Sequence, residues 1–81
     1  MSDDDELEGT VTWRELRAEA AARLRSAGSP DPETDARRIV EEASGAEGAA
    51  LALVLSDRAT VRGVARFDSM VARRAAGEPL Q

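Results

Sequence analysis

The side chains that most often do chemistry in proteins are scarce in this 81-residue chain. It contains no cysteine and no histidine, which removes disulfides, thiolate and imidazole metal ligands, and the commonest general base. The acidic pair Glu41-Glu42 lies near the predicted outer face of a helix, and no serine stands beside a plausible base. The acids near the N-terminus would hold a divalent cation only weakly. The sequence therefore predicts no catalytic or metal site within the chain.

The triplet Asp68-Ser69-Met70 resembles the Asp-Ser-Leu at which acyl carrier proteins receive phosphopantetheine. A small, acidic, helical chain without cysteine also fits a carrier protein. However, a carrier serine begins a helix near the middle of the chain, whereas Ser69 falls inside the last predicted helix. The apolar period of that helix continues through Ser69, from Phe67 to Val71. A carrier function is therefore the least favoured of the interpretations.

A row of arginines is the main basic feature of the chain. Arg62, Arg66 and Arg73 fall within about 40° of one another if the last helix turns about 100° per residue. The chain has no aromatic residues interleaved with these arginines, and its formal net charge is −5, which argues against nucleic-acid binding. A solvated helix face is one interpretation of the row. If the row is functional, we expect a protein partner, because arginine is favoured at protein interfaces.

The first two predicted helices have clear start and stop signals in the sequence. Thr12-Trp13-Arg14-Glu15 predicts a capping box, and the apolar period then continues to about Ala27 before Gly28. Trp13 is expected to anchor the core. Asp31 and Pro32 predict the start of a second helix that reaches Ser44, with Gly45 as its stop and Glu33 paired with Arg37. The predicted inward residues are Trp13, Leu16, Ala20, Leu24, Ala27, Ala36, Ile39, Val40 and Ala43.

The second half of the chain is less regular. Residues 46–55 predict a short, mostly buried helix, although Leu53-Val54-Leu55 leaves a strand possible. Thr60 is the expected N-cap of a last helix that extends to about Ala76, and residues 56–59 form a turn between the two. The predicted inward residues of this helix are Val61, Val64, Phe67, Val71 and Ala75. The predicted fold class is all-α, a compact bundle of four to five short helices over residues 11–76.

Composition separates an acidic leader from a neutral body. Five of the 16 acidic residues lie within the first eight positions, and the remaining 11 match the 11 arginines. We expect residues 1–10 to form a disordered acidic tail. No apolar run approaches the roughly 20 residues of a membrane span, and no signal peptide is apparent, so we expect a cytoplasmic monomer without membrane contact.

The end of the chain has a recognisable pattern. After Arg73-Arg74 and two alanines, Gly77 takes the usual left-handed position at a helix end, and Pro79 forbids further helix. We expect residues 77–81, Gly77-Glu78-Pro79-Leu80-Gln81, to begin a linker to a domain that is not included here.

Several segments together resemble the N-terminal domain of the release factor glutamine methyltransferases, the HemK/PrmC family. The first helix, with Thr12-Trp13-Arg14-Glu15-Leu16, is similar to the opening helix of that domain. Asp35-Ala36 through Gly45 is similar to its second helix, and Arg73 through Gln81 to its last helix and exit segment. The strongest element is Gly-Glu-Pro-Leu-Gln at residues 77–81. The resemblance covers nearly the whole chain after residue 10.

The resemblance implies a substrate-recognition domain. The intact enzyme is expected to use S-adenosylmethionine to methylate the glutamine in the Gly-Gly-Gln loop of class I release factors. The chain stops before the glycine-rich loop and Asn-Pro-Pro-Tyr motif of the catalytic domain, so it is expected to bind and not to catalyse. Expected partners are a release factor and the catalytic domain of the same protein. The residues expected to contact a partner are Arg62, Arg66, Arg73, Arg74, Gly77, Glu78, Pro79, Leu80 and Gln81.

The sequence departs from the family pattern at two places. Arg37-Arg38 occupy positions where many members carry apolar residues, and the acidic leader is additional. A stand-alone helical interaction module without an enzymatic parent remains the alternative.

Overall fold

Residues 11–78 are described by a computed structural model, in which four helices follow one another without a β-strand in this range. They are α1 (Trp13–Ser26), α2 (Pro32–Ser44), α3 (Ala49–Val54) and α4 (Val61–Ala75). The three longer helices pack pairwise against one another, and α3 lies at their edge. The all-α prediction is confirmed. The predicted acidic tail at residues 1–10, and Pro79, Leu80 and Gln81, lie outside the described residues.

Capping fixes where each longer helix begins. The Thr12 hydroxyl accepts a hydrogen bond from the Glu15 amide at 3.2 Å, and the Thr12 amide donates to Glu15 Oε1 at 2.8 Å. Asp31 caps α2 through the Thr34 amide, and Thr60 caps α4 through the Gly63 amide at 2.9 Å. These contacts confirm the predicted N-caps, and each satisfies a donor that the first helical turn leaves without an intrahelical partner.

The core lies between the three longer helices and is built from thin side chains. Its five largest fully buried residues are Leu24, Ile39, Val40, Phe67 and Val71. Ala20 and Ala36 are also completely buried and let α1 and α2 approach closely. Trp13 is 5% exposed, which confirms its predicted place in the core.

Two predicted inward residues are in fact exposed. Ala27 is the C-cap of α1 and lies beyond Leu24, the last buried residue of that helix. Val61 is 48% exposed because it occupies the first position of α4, at the rim of the buried face. The predicted pair of Glu33 and Arg37 is also wrong, because their side chains point to other partners. Glu33 pairs with Arg25 at 3.0 Å, and Arg37 pairs with Glu41 at 3.5 Å.

The segment between α2 and α4 differs most from the prediction. Residues 46–55 do contain a helix, but α3 has only six residues and, within it, buries only Leu51. Leu53 is 79% exposed, because it lies about 200° around the helix from Leu51. The turn at residues 56–59 contains an isolated antiparallel β-bridge between Arg58 and Thr12, so no fifth helix forms there.

Candidate partner-binding surface

The exposed face of α4 carries the predicted row of arginines. Arg62, Arg66 and Arg73, hereafter the arginine row, are all exposed, as expected for residues that lie opposite Phe67 and Val71. Arg73 lies eleven positions after Arg62, which corresponds to about 16 Å along the helix. Ala65, Ser69 and Ala72 are exposed beside them. The arginines therefore lie beside a strip of small side chains, which another chain can approach closely.

The arginines of the row differ in their ionic contacts. Arg66 Nη2 lies 2.7 Å from Glu42 Oε2, and both side chains are 58% exposed. Such an exposed pair contributes little to stability, although it links α4 to α2. Within residues 11–78, no carboxylate oxygen lies within 4.0 Å of the guanidinium of Arg62 or Arg73. Among the described residues, therefore, no carboxylate competes for these two guanidiniums.

Arg74 lies on a different face of α4 and has partners within the bundle. Its Nε donates to Asp35 Oδ2 at 2.8 Å, and its Nη1 donates to the Glu78 carbonyl at 3.2 Å. The Ser29 hydroxyl donates to the same Asp35 oxygen at 2.8 Å. The sequence grouped Arg74 with the partner-binding arginines and did not predict this network. The position of Arg74 around the helix could have separated it from the arginine row in the sequence. Arg74 lies about 20° from Phe67, on the buried side of α4.

The carboxylate of Asp35 is held ionised by these donors. Burial alone would raise the pKa of Asp35, since its side chain is only 11% exposed. The hydrogen bonds from Arg74 and Ser29, together with the positive charges of Arg74 and Arg38, outweigh burial and lower the pKa below its ordinary value. Asp35 therefore joins the start of α2 to the loop after α1 and to the end of α4.

The end of α4 is closed by hydrogen bonds from Gly77 and Glu78. Gly77 has a φ of 101°, its amide donates to the Arg74 carbonyl at 2.9 Å, and the Glu78 amide donates to the Arg73 carbonyl at 3.1 Å. These two bonds form a Schellman motif, which the left-handed glycine permits. Because Arg74 also binds the Glu78 carbonyl, the last described residue is held on both its amide and its carbonyl.

Other kinds of site find no support in the described residues. Ser69 lies within α4, not at a helix start, which is the wrong place for a carrier serine. No group of three or more acidic side chains that could hold a metal ion occurs in residues 11–78. No helix in this range is long and apolar enough to cross a membrane.

One groove among the described residues does not suit S-adenosylmethionine. A groove between α1 and the end of α4 is shallow and open, and its lining is Ala22, Arg23, Ser26, Ala27 and Ala75. Arg23 within it is engaged with Glu19 and Asp68 at 3.5 and 3.6 Å. The groove offers no carboxylate for the ribose hydroxyls and no glycine-rich loop for the rest of the cofactor.

The family model of the PrmC N-terminal domain matches residues 15–81. The match includes all of α2, α3 and α4, nearly all of α1, and the exit segment. No curated protein and no solved structure matches the chain.

Proposed function

This chain belongs to the PrmC N-terminal domain family, and we propose that it binds a class I peptide chain release factor for a methyltransferase catalytic domain in the same polypeptide. In this proposal the catalytic domain methylates the glutamine of the release factor's Gly-Gly-Gln loop in the cytoplasm. That domain, and not this bundle, would bind S-adenosylmethionine. The observation that carries the proposal is the family match over residues 15–81.

There is a physical reason for one domain to bind the substrate protein and another to catalyse the reaction. A pocket that holds one amide side chain buries little surface, whereas a specific interface commonly buries roughly 1,200–2,000 Å² in total. A second rigid surface adds the missing area. The packed core of α1, α2 and α4 supplies rigidity, and the hydrogen bonds at Gly77 and Glu78 hold the last described residue against the end of α4.

The arginine row is the part of the bundle that best suits a protein partner. Its guanidiniums are exposed along one side of a surface of small residues, and Arg62 and Arg73 have no ionic partner within residues 11–78. Arginine forms bidentate contacts with carboxylates and loses little entropy per hydrogen bond. We therefore place the release-factor contact at this row, opposite acidic residues of the partner.

A binding titration between this chain and a class I release factor tests the proposal. We expect the double variant Arg62→Gln/Arg73→Gln to weaken binding about tenfold, because each exposed charge pair is worth up to about 1 kcal/mol. Glutamine is a good helix former, so α4 should remain folded. The matched control is Arg14→Gln/Arg17→Gln, which removes two arginines of α1 without ionic partners in residues 11–78 and should leave affinity unchanged.

The outcomes separate three possibilities. Equal losses in both double variants would show a general charge effect and reject the row as the contact surface. Unchanged affinity in both would place the contact elsewhere on the bundle. Failure of the unsubstituted chain to bind any class I release factor would reject the function and favour a stand-alone interaction module.

A further inference from the structure

The largest unbalanced charge in this protein lies just before the first described residue. Asp3, Asp4, Asp5, Glu6 and Glu8, hereafter the acidic leader, precede a body whose acidic and basic residues are equal in number. The arginine row is exposed on the same molecule. We propose that the acidic leader binds in cis to the arginine row of α4, where it must be displaced by an acidic partner.

The structure shows where the leader joins the bundle. The Val11 carbonyl accepts a hydrogen bond from the Ala59 amide at 2.8 Å, and Ala59 is completely buried two residues before α4 begins. The bridge between Thr12 and Arg58 is antiparallel. Read toward the N-terminus from Thr12, the chain therefore advances in the direction that leads from Arg58 toward Thr60 and α4. Val11, which follows the leader in the sequence, therefore lies beside the segment that enters α4.

The leader is long enough to follow the row. An extended chain covers about 3.3–3.6 Å per residue, so Glu8 reaches roughly 10 Å from Val11 and Asp3 roughly 27 Å. The row itself spans about 16 Å. The reach of the leader therefore exceeds the length of the row from Arg62 to Arg73.

Charge favours α4 over the neighbouring arginines of α1. The first turn of α1 already contains Glu15, whereas the first turn of α4 contains no acidic residue. Negative charge near the N-terminal end of a helix is favourable. Arg14 and Arg17 are also separated along one helix by a single turn, so they offer a shorter track than the arginine row.

The consequence for binding rests on the function proposed above. If a release factor uses the arginine row, the leader competes with it inside the same molecule. Exposed ion pairs are individually weak and are screened by salt. The leader therefore acts as a mild, salt-sensitive competitor that rejects weakly acidic proteins and yields to a partner with a larger complementary surface.

Paramagnetic relaxation in the whole 81-residue chain tests the contact directly. The chain has no cysteine, so a nitroxide on Ser2→Cys gives a single label. At low salt we expect selective broadening of the amide signals of Arg66, Ser69 and Arg73, compared with Arg14 and Arg17. The matched control carries the same label with the five acids changed to asparagine or glutamine. In this control, and at about 0.5 M salt, we expect the broadening on α4 to fall several-fold.

Three results would overturn the contact in cis. They are equal broadening in the neutral-leader control, broadening centred on Arg14 and Arg17, and equal broadening when the label is on a separate, isotopically unlabelled copy. None of them involves a release factor, so the contact is tested independently of the proposed function. If the contact holds, the neutral-leader chain should bind a release factor on the order of two- to tenfold more tightly. Unchanged affinity would overturn the competition.

Discussion

Gly63 lies where the indole ring of Trp13 crosses α4. A Cβ atom built at this position would meet Trp13 Cη2 and Thr60 Oγ1, each at 2.9 Å, and Trp13 Cζ2 at 3.0 Å. Trp13 is nearly fully buried, so its ring cannot move without disturbing the core. The glycine permits this approach at a cost to helix propensity of about 1 kcal/mol relative to alanine.

We expect Gly63→Ala to destabilise the bundle by about 1 kcal/mol. Overpacking against Trp13 costs about 1–3 kcal/mol, and the gain in helix propensity offsets part of that cost. Urea unfolding followed by circular dichroism measures the change. In a Trp13→Phe background, which lacks the two indole atoms in conflict but keeps the Thr60 hydroxyl, the same substitution should cost clearly less. An equal loss in both backgrounds would contradict the steric explanation.

The sequence predicted only one side of this contact. Trp13 follows a capping threonine at a core position of the helical period, which is sufficient to predict its burial. No sequence pattern predicts the need for Gly63. A glycine is required there because a side chain would collide with the ring of Trp13, 50 residues earlier in the chain. Arg74 is a similar case. Its position around the helix predicts that it lies on the buried face, but the sequence does not predict that Asp35 is its partner.

At the scale of secondary-structure elements, the start of α1 is held by the connection that precedes α4. The Trp13 amide donates to the Asp57 carbonyl at 3.1 Å, and the Arg14 amide donates to the Leu55 carbonyl at 2.9 Å. Amides of a first helical turn usually have no backbone partner. Residues 55–59 therefore support α1 from outside it. A turn signal in the sequence cannot reveal this support, because the partners are over 40 residues apart.

Hydrogen exchange distinguishes this helix start from the start of α4. We expect the amides of Trp13 and Arg14 to exchange at least tenfold more slowly than those of Val61 and Arg62. The latter two have no hydrogen-bond acceptor within residues 11–78. Exchange followed by nuclear magnetic resonance at low pH measures all four amides in one sample. Equally fast exchange at both helix starts would mean that the connection does not hold α1 in solution.

At the scale of the whole molecule, Asp35 is the point at which three parts of the chain meet. Its carboxylate accepts hydrogen bonds from Ser29 after α1 and from Arg74 near the end of α4. Since α1, α2 and α4 form the core, loss of this charge weakens the assembly of the bundle and not one helix alone. The hydrogen-bonding partners of Arg74 also include the exit residue Glu78.

We expect Asp35→Asn to lower the free energy of unfolding by about 2 kcal/mol at neutral pH, the magnitude of a hydrogen bond to a charged group. Because the pKa of Asp35 is lower in the folded chain than in the unfolded chain, the ionised carboxylate stabilises the fold fully above the unfolded pKa. This contribution is lost as the pH falls through the folded pKa. The stability of the two proteins should therefore converge in acid, as measured by urea unfolding between about pH 2 and pH 7.

Asp68→Asn, which removes an exposed partner of Arg23 at 3.6 Å, is the matched control and should change stability by less than about 0.5 kcal/mol. A difference between wild type and Asp35→Asn that persists unchanged at the lowest pH would show that packing, and not the charge of Asp35, joins the three helices.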